Sequence, residues 1–217
     1  MISSHDTLTS AYLKTPRAAA YAGIIFSVLL FAVFVLMRLS VPSDPLERGA
    51  WLAGDTSYVA LAMSLVPFAG VAFLWFVGVL RDRLGDKEDQ FFATVFLGSG
   101  VLLLTMMFAA AAAVGAIITA FHAAPDAVAQ SAAFHFGRGL AHGMINVYLV
   151  KAAAVFMITT STIAIYTHLT PRWLAIGGYF IAFALLFGNY FFDWSILAFP
   201  LWVFLVGLSI LWDDGLN

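Results

Sequence analysis

Apolar residues in this chain come in long unbroken runs rather than in the short alternations of soluble strands and helices. Six runs stand out: Ala18–Leu39, Thr56–Leu80, Phe91–Phe121, Leu140–Tyr166, Trp173–Phe192 and Ser195–Trp212. A helix needs roughly 20 mostly apolar residues to cross about 30 Å of hydrocarbon, and each run meets or approaches that length. The pattern predicts an all-α integral membrane protein, a bundle of about six transmembrane helices in a single domain over residues 1–217. The third run is long enough to protrude or tilt. Only the tight FFDWS turn parts the last two.

Lys and Arg placement orients the bundle. With the N-terminus inside, the cytoplasmic side holds Lys14, Arg17, Arg81, Arg83, Lys87 and Arg172, against Arg38, Arg48 and Arg138 on the other. The expectation is N-in/C-in in a bacterial inner membrane. The first run is too long and lacks the small-residue cleavage site of a signal peptide, so it reads as a membrane span. Trp51, Trp75, Trp173, Trp194 and Trp212 fall at or near expected span ends, as an interfacial aromatic belt requires.

Composition agrees: 63% of the 217 residues are hydrophobic and 10% charged, against about 45–50% and 25% in soluble domains. A net charge of −2 offers no basic field for nucleic acid, and the absence of Cys excludes disulfides and thiolate sites. The expected surroundings are lipid and either further copies of the chain or a partner in a membrane complex.

Small residues cluster in AAAYAG, FAAAAAVGA and KAAAV, which suits close helix packing in lipid. Pro67, in the second run, removes one helical hydrogen bond and predicts a kink, with a hinge as the functional version of that reading. The charged turn RDRLGDKEDQ follows. With the end of its helix it reads GVLRDRLGDKED, and Gly78, Leu80, Asp82, Arg83, Gly85 and Lys87 resemble the loop between the second and third helices of the major facilitator superfamily. That resemblance, confined to Gly78–Lys87, implies a gating role for Asp82, Arg83 and Gly85 together with Pro67. The family's arginine motif early in the fourth helix is not matched in spacing. The chain as a whole is similar to small uncharacterised six-span bacterial membrane proteins, a likeness that implies no function.

The fourth run carries most of the chemistry. On a regular helix Arg138, His142 and Asn146 form one stripe at i, i+4 and i+8, with Thr160 on the same side. Lys151 projects about 140° from Asn146 at 3.6 residues per turn, and Tyr148, Thr159 and Thr162 share its side. Polar groups on two faces predict a helix enclosed in the bundle or set against a second protomer. In a span over 140–166 Lys151 lies near mid-membrane, where a charge costs roughly 2.5–3.5 kcal/mol. No carboxylate lies within a span; the nearest expected partner is Asp193, beside Asn189. Lys151 is then neutral, bound to hydroxyls or freed carbonyls, or facing water where an anion can bind it.

These residues support a small transporter or channel for a polar or anionic solute. Arg138, His142 and Asn146 form its vestibule, Lys151 and Tyr148 its midplane, and Asn189 and Asp193 lie near. A non-catalytic structural or assembly subunit is the alternative. A third reading, an outer-face metal-binding protein, uses His122, His135 and His142, though no tight His pair is present. No motif of hydrolase, metalloprotease or nucleotide-binding type occurs. No catalytic residue and no cofactor is predicted.

Overall fold

A computed structural model of the chain describes residues 15–42, 44, 49–54, 56–84, 90–128, 131–167, 169–188 and 194–213. Six long helices account for most of them: α1 Thr15–Ser40, α2 Ser57–Leu84, α3 Gln90–Ala123, α4 Ala132–Thr167, α5 Arg172–Phe187 and α6 Ala198–Asp213. Short helical turns at Gly49–Ala53, Pro125–Val128 and Ser195–Leu197 join them. Five of the six, counting Ser195–Trp212 as one unit, are long and apolar enough to cross a membrane; α5, with 16 residues, is shorter.

Each helix packs on its neighbour in sequence, and α6 returns against α1. The face at which α1 ends and α2 begins, with the Gly49–Ala53 and Pro125–Val128 turns, is termed upper, and the face at which α2 ends and α3 begins lower. Tyr58 and Trp194 are exposed towards the upper face, and Trp75, Trp173 and Trp212 towards the lower. At 1.5 Å per residue, Tyr58 to Trp75 and Trp194 to Trp212 each span about 26 Å. Aromatic residues so spaced mark the two interfaces of a bilayer.

Apolar burial supplies little drive inside lipid, so close backbone approach must hold the helices. The alanine-rich stretches do this. Ala19, Ala20 and Ala22 are buried in α1, and Ala152, Ala153 and Ala154 in α4. At the α1–α6 crossing, a Cβ on Gly207 would stand 3.0 Å from the Ala20 carbonyl oxygen, so any larger residue would push the two helices apart by a few tenths of an ångström. Further in, Phe26, Phe73, Phe96, Phe156 and Phe199 from five different helices form a ring-to-ring cluster. Centroids within it are 4.7 Å apart for Phe26–Phe73 and 5.0 Å for Phe96–Phe156. α4 is the most enclosed helix: 67% of its most apolar window is buried, against 39–44% in the others long enough to span.

Three expectations change. The fourth helix begins at Ala132 rather than Leu140, because the Ser131 hydroxyl caps it by accepting from the Phe134 N–H at 3.1 Å. Residues 132–139, which precede the expected run at Leu140, are thus its first turns. The fifth expected span, Trp173–Phe192, is helical only to Phe187; Gly188 donates to the Ala184 carbonyl at 2.6 Å, and residues 189–193 lie outside the described set. Finally, Met144–Leu149 is a turn of π-helix between α-helical flanks, so a uniform projection from Arg138 to Thr160 does not hold. α2 stays helical through Pro67.

Candidate functional site

α1, α2, α3 and α4 diverge at the upper face around a cavity of about 120 Å³. Its walls are aliphatic and thioether: Leu30 and Met37 on α1, Met63 and Val66 on α2, Met107 and Val114 on α3, Ile145 and Leu149 on α4. Among the described residues its polar lining is Arg38, Arg138, His142 and Asn146, with no Asp or Glu. Lining residues run no deeper than Leu30, Val66, Met107 and Leu149, and the phenyl cluster lies about one to three helical turns below them.

The cationic groups are held by the ends of helices. Arg138 is 6% exposed, and its Nη2 donates to the carbonyls of Pro42 at 2.9 Å and Asp44 at 2.6 Å. It thereby fixes the chain leaving α1, whose carbonyls have no helical donors there. Arg38, in the last turn of α1, donates through Nη2 to Asn146 Oδ1 at 3.4 Å. The Asn146 amide nitrogen donates to the His142 carbonyl at 3.2 Å and lies 3.2 Å from His142 Nδ1. That last contact is a hydrogen bond when Nδ1 carries no proton and accepts.

Above this chamber a second cavity of about 290 Å³ is bordered by Arg38, Leu39, Ser40, Val41, Pro42, Trp51 and Trp194. The two share Arg38, Val41, Pro42 and Trp51. The Gly49–Ala53 turn roofs the region: Leu52, 1% exposed, packs with Ile117 and Phe134, and Trp51 lies against that cluster. The Trp51 indole N–H is buried and has no acceptor among the described residues. Sequence reading missed Arg38 and Trp51 as site residues. Arg38 served only the charge count and Trp51 only the aromatic belt, although both flank the turn-rich VPSDPLERGA segment.

Lys151 and Tyr148 do not line the chamber. Tyr148 is exposed. Lys151 Nζ donates to the carbonyls of Leu185, at 3.2 Å, and Leu186. These carbonyls belong to the last turn of α5, where helical donors run out and the helix dipole favours a cation. Lys151 is also shallower than the 140–166 span implied. It lies five residues, about 7.5 Å, from Asn146, which is at the level of Arg38 and the upper interface. Of the remaining polar groups of α4, Thr159 and Thr160 donate to the Phe156 carbonyl and Thr162 bonds Tyr179 on α5 at 2.6 Å, while the buried Ser161 Oγ has no partner among the described residues.

His122 and His135 are exposed, and no group of three His, Cys, Asp or Glu close enough for a metal occurs among the described residues. Gly85, Asn189 and Asp193 lie outside the described residues. Pro67 is exposed in mid-α2, and the helix continues through Asp82 and Arg83 to Leu84. No family model, curated protein or solved structure matches the chain.

Proposed function

We propose that this chain is a small transporter that takes an anionic solute into the cavity at its upper face. One observation carries the reading. Two arginines from different helices, Arg38 and Arg138, line a single cavity, and no Asp or Glu is among its described lining residues. Guanidinium groups at the edge of a low-dielectric chamber attract anions and repel cations. Membrane-embedded ionisable groups facing a cavity are most often pathway residues. In this reading the chain sits N-in/C-in in a bacterial inner membrane, as a homo-oligomer, with the upper face outside. Lys151 holds α5 in place and takes no part in solute contact.

Below the chamber the phenyl cluster closes the way through. A transporter of this design therefore alternates access by moving helices, with Pro67 and the lower end of α2 at Asp82 and Arg83 as its flexing parts. The same closed floor favours the second reading, a structural or assembly subunit that binds but does not conduct. Reconstituted proteoliposomes separate the two. Net anion flux that Arg38→Gln abolishes and Lys151→Met spares is the expected result. Flux insensitive to Arg38→Gln would sink the site; binding without flux would favour the subunit.

A further inference from the structure

Asn146 stands between an arginine and a histidine, and its amide has a single oxygen to offer. The Arg38 guanidinium consists of donors alone, so the Asn146 oxygen must face it, across the 3.4 Å contact. The amide nitrogen then faces His142: it donates to the His142 carbonyl and lies 3.2 Å from Nδ1. In that orientation Nδ1 has to be the bare, accepting nitrogen of a neutral ring.

A proton on Nδ1 reverses the contact. Two donors would then meet at 3.2 Å, and the ring would need an oxygen where the amide nitrogen stands. Turning the Asn146 amide over supplies it, since that terminal torsion is close to two-fold. The turned amide presents its nitrogen to Arg38, donor against donor, and the Arg38–Asn146 bond is lost. That bond joins the last turn of α1 to the π-helical turn of α4. It crosses where chamber and vestibule share Arg38, Val41, Pro42 and Trp51. α1 packs on α2 and α6, and α4 on α3 and α5, so each helix has its main packing partners elsewhere. We propose that His142 is a proton-operated latch: neutral, it keeps Arg38 tied to Asn146; protonated, it breaks that tie and widens the passage from vestibule to chamber.

Few charged groups surround the ring among the described residues. α1 brings Arg38, and α4 itself brings Arg138 one turn away. α2 and α3 line the cavity with apolar side chains only, and the Ser195–Leu197 turn contributes Ile196. Asp44 is exposed, and its carbonyl accepts from Arg138. Arginine keeps its charge in proteins, whereas histidine ordinarily titrates between about pH 5 and pH 8. His142 is thus the described lining residue whose charge can change there.

The latch does not depend on which solute fills the cavity, and its test needs none. The full chain in nanodiscs, with isotope-labelled His and Asn, is titrated by NMR from about pH 9 to about pH 4, which spans ordinary histidine titration. The His142 ring and the Asn146 side-chain amide, assigned by His142→Gln and Asn146→Gln, should change with one shared midpoint. The absence of native cysteine permits a second reading by thiol labelling. Val114→Cys in the chamber is compared with Leu39→Cys at the vestibule, the latter cancelling the reagent's own pH dependence. Their rate ratio should rise through the same midpoint by about three- to twentyfold, the equilibrium weight of one hydrogen bond between membrane helices. His142→Gln should hold the ratio low at every pH. So should Asn146→Asp, whose two oxygens accept from Arg38 and the protonated ring together. A ring that stays neutral to about pH 4, or ring titration with the Asn146 amide unmoved, overturns the latch. A ratio that rises equally in His142→Gln assigns the opening to another group and overturns it too. None of these outcomes bears on anion flux, so the proposed function stands or falls separately.

Discussion

Lys151→Met separates a helix-capping lysine from a pathway lysine. Methionine preserves the length and much of the volume of the stem but cannot donate to the Leu185 and Leu186 carbonyls. Hydrogen bonds between membrane helices average about 0.6 kcal/mol and reach about 1.7, and a cation at a helix C-terminus adds about 0.3–1 kcal/mol. The substitution should therefore cost about 1–3 kcal/mol of folding stability. An opposing term exists, since removing a charge eases membrane insertion by up to about 2.5–3.5 kcal/mol at a span centre. It is smaller here because Lys151 lies above the span centre, about 7.5 Å below the upper interface, and it acts on insertion more than on assembly of inserted helices. SDS titration in mixed micelles measures the assembly step. A second probe is available because the chain has no cysteine: Phe187→Cys, at an exposed position in the last turn of α5, reports on that turn by thiol labelling. Lys151→Met should lower the SDS midpoint and speed labelling at 187, with anion binding intact. An unchanged or raised midpoint, or loss of anion binding with stability intact, would refute the capping role.

Other positions give independent checks. Gly178→Ala should cost about 1–3 kcal/mol by overpacking, since its Cβ would strike Ser161 Oγ and lie 2.8 Å from Trp202 Nε1; a neutral result in SDS titration would mean that α4, α5 and α6 do not meet there. Phe156→Ala should cost about 3–5 kcal/mol, because Phe156 contacts the rings of Phe73, Phe96 and Phe199. It should also open the chamber floor, read as leak of anions through proteoliposomes. Tyr179→Phe, which removes only the bond to Thr162, should cost about 0.6 kcal/mol and leave solute binding unchanged.

The span architecture was legible because hydrophobic length is a one-dimensional signal: all six expected runs reappear as helices, within a few residues except at the start of α4 and the end of α5. The upper half of α4 was not, because Ala132–Gly139 is too mixed in polarity to read as membrane, and its helical start depends on one serine cap. Half of the site was readable as a stripe, Arg138, His142 and Asn146, since i, i+4 spacing is local. Its other half comes from Arg38 and Trp51, more than 85 residues upstream of these, and no local rule pairs them. The role of Lys151 needed the end of α5, which sequence placed past Phe187. The depth assigned to it inherited the wrong start of α4.

The π-turn at Met144–Leu149 explains why a regular projection of α4 misled, and it makes a prediction of its own. A π-turn accommodates one extra residue while both flanking helices keep their packing. Above it, Arg138 and Ala141 are buried against the α1–α2 connection and α3; below it, Phe156 is buried in the phenyl cluster. Deleting exposed Val147 should therefore convert the turn to regular α-helix with both buried sets still facing inward. Deleting Ala154, inside regular helix and fully buried, should instead rotate one half of α4 against the other by about 100° and shift it about 1.5 Å. No arrangement then buries both Arg138 and Phe156. The Val147 deletion should elute as a monodisperse species with near-native SDS resistance, and the Ala154 deletion should aggregate. Anion binding supplies the functional half of the comparison. Asn146 sits within the π-turn and holds Arg38 and His142 in one network, so the Val147 deletion should fold and bind weakly. Equal damage from both deletions would mean that the π-turn is not an absorbed insertion. Full binding in the Val147 deletion would mean that the turn is irrelevant to the site.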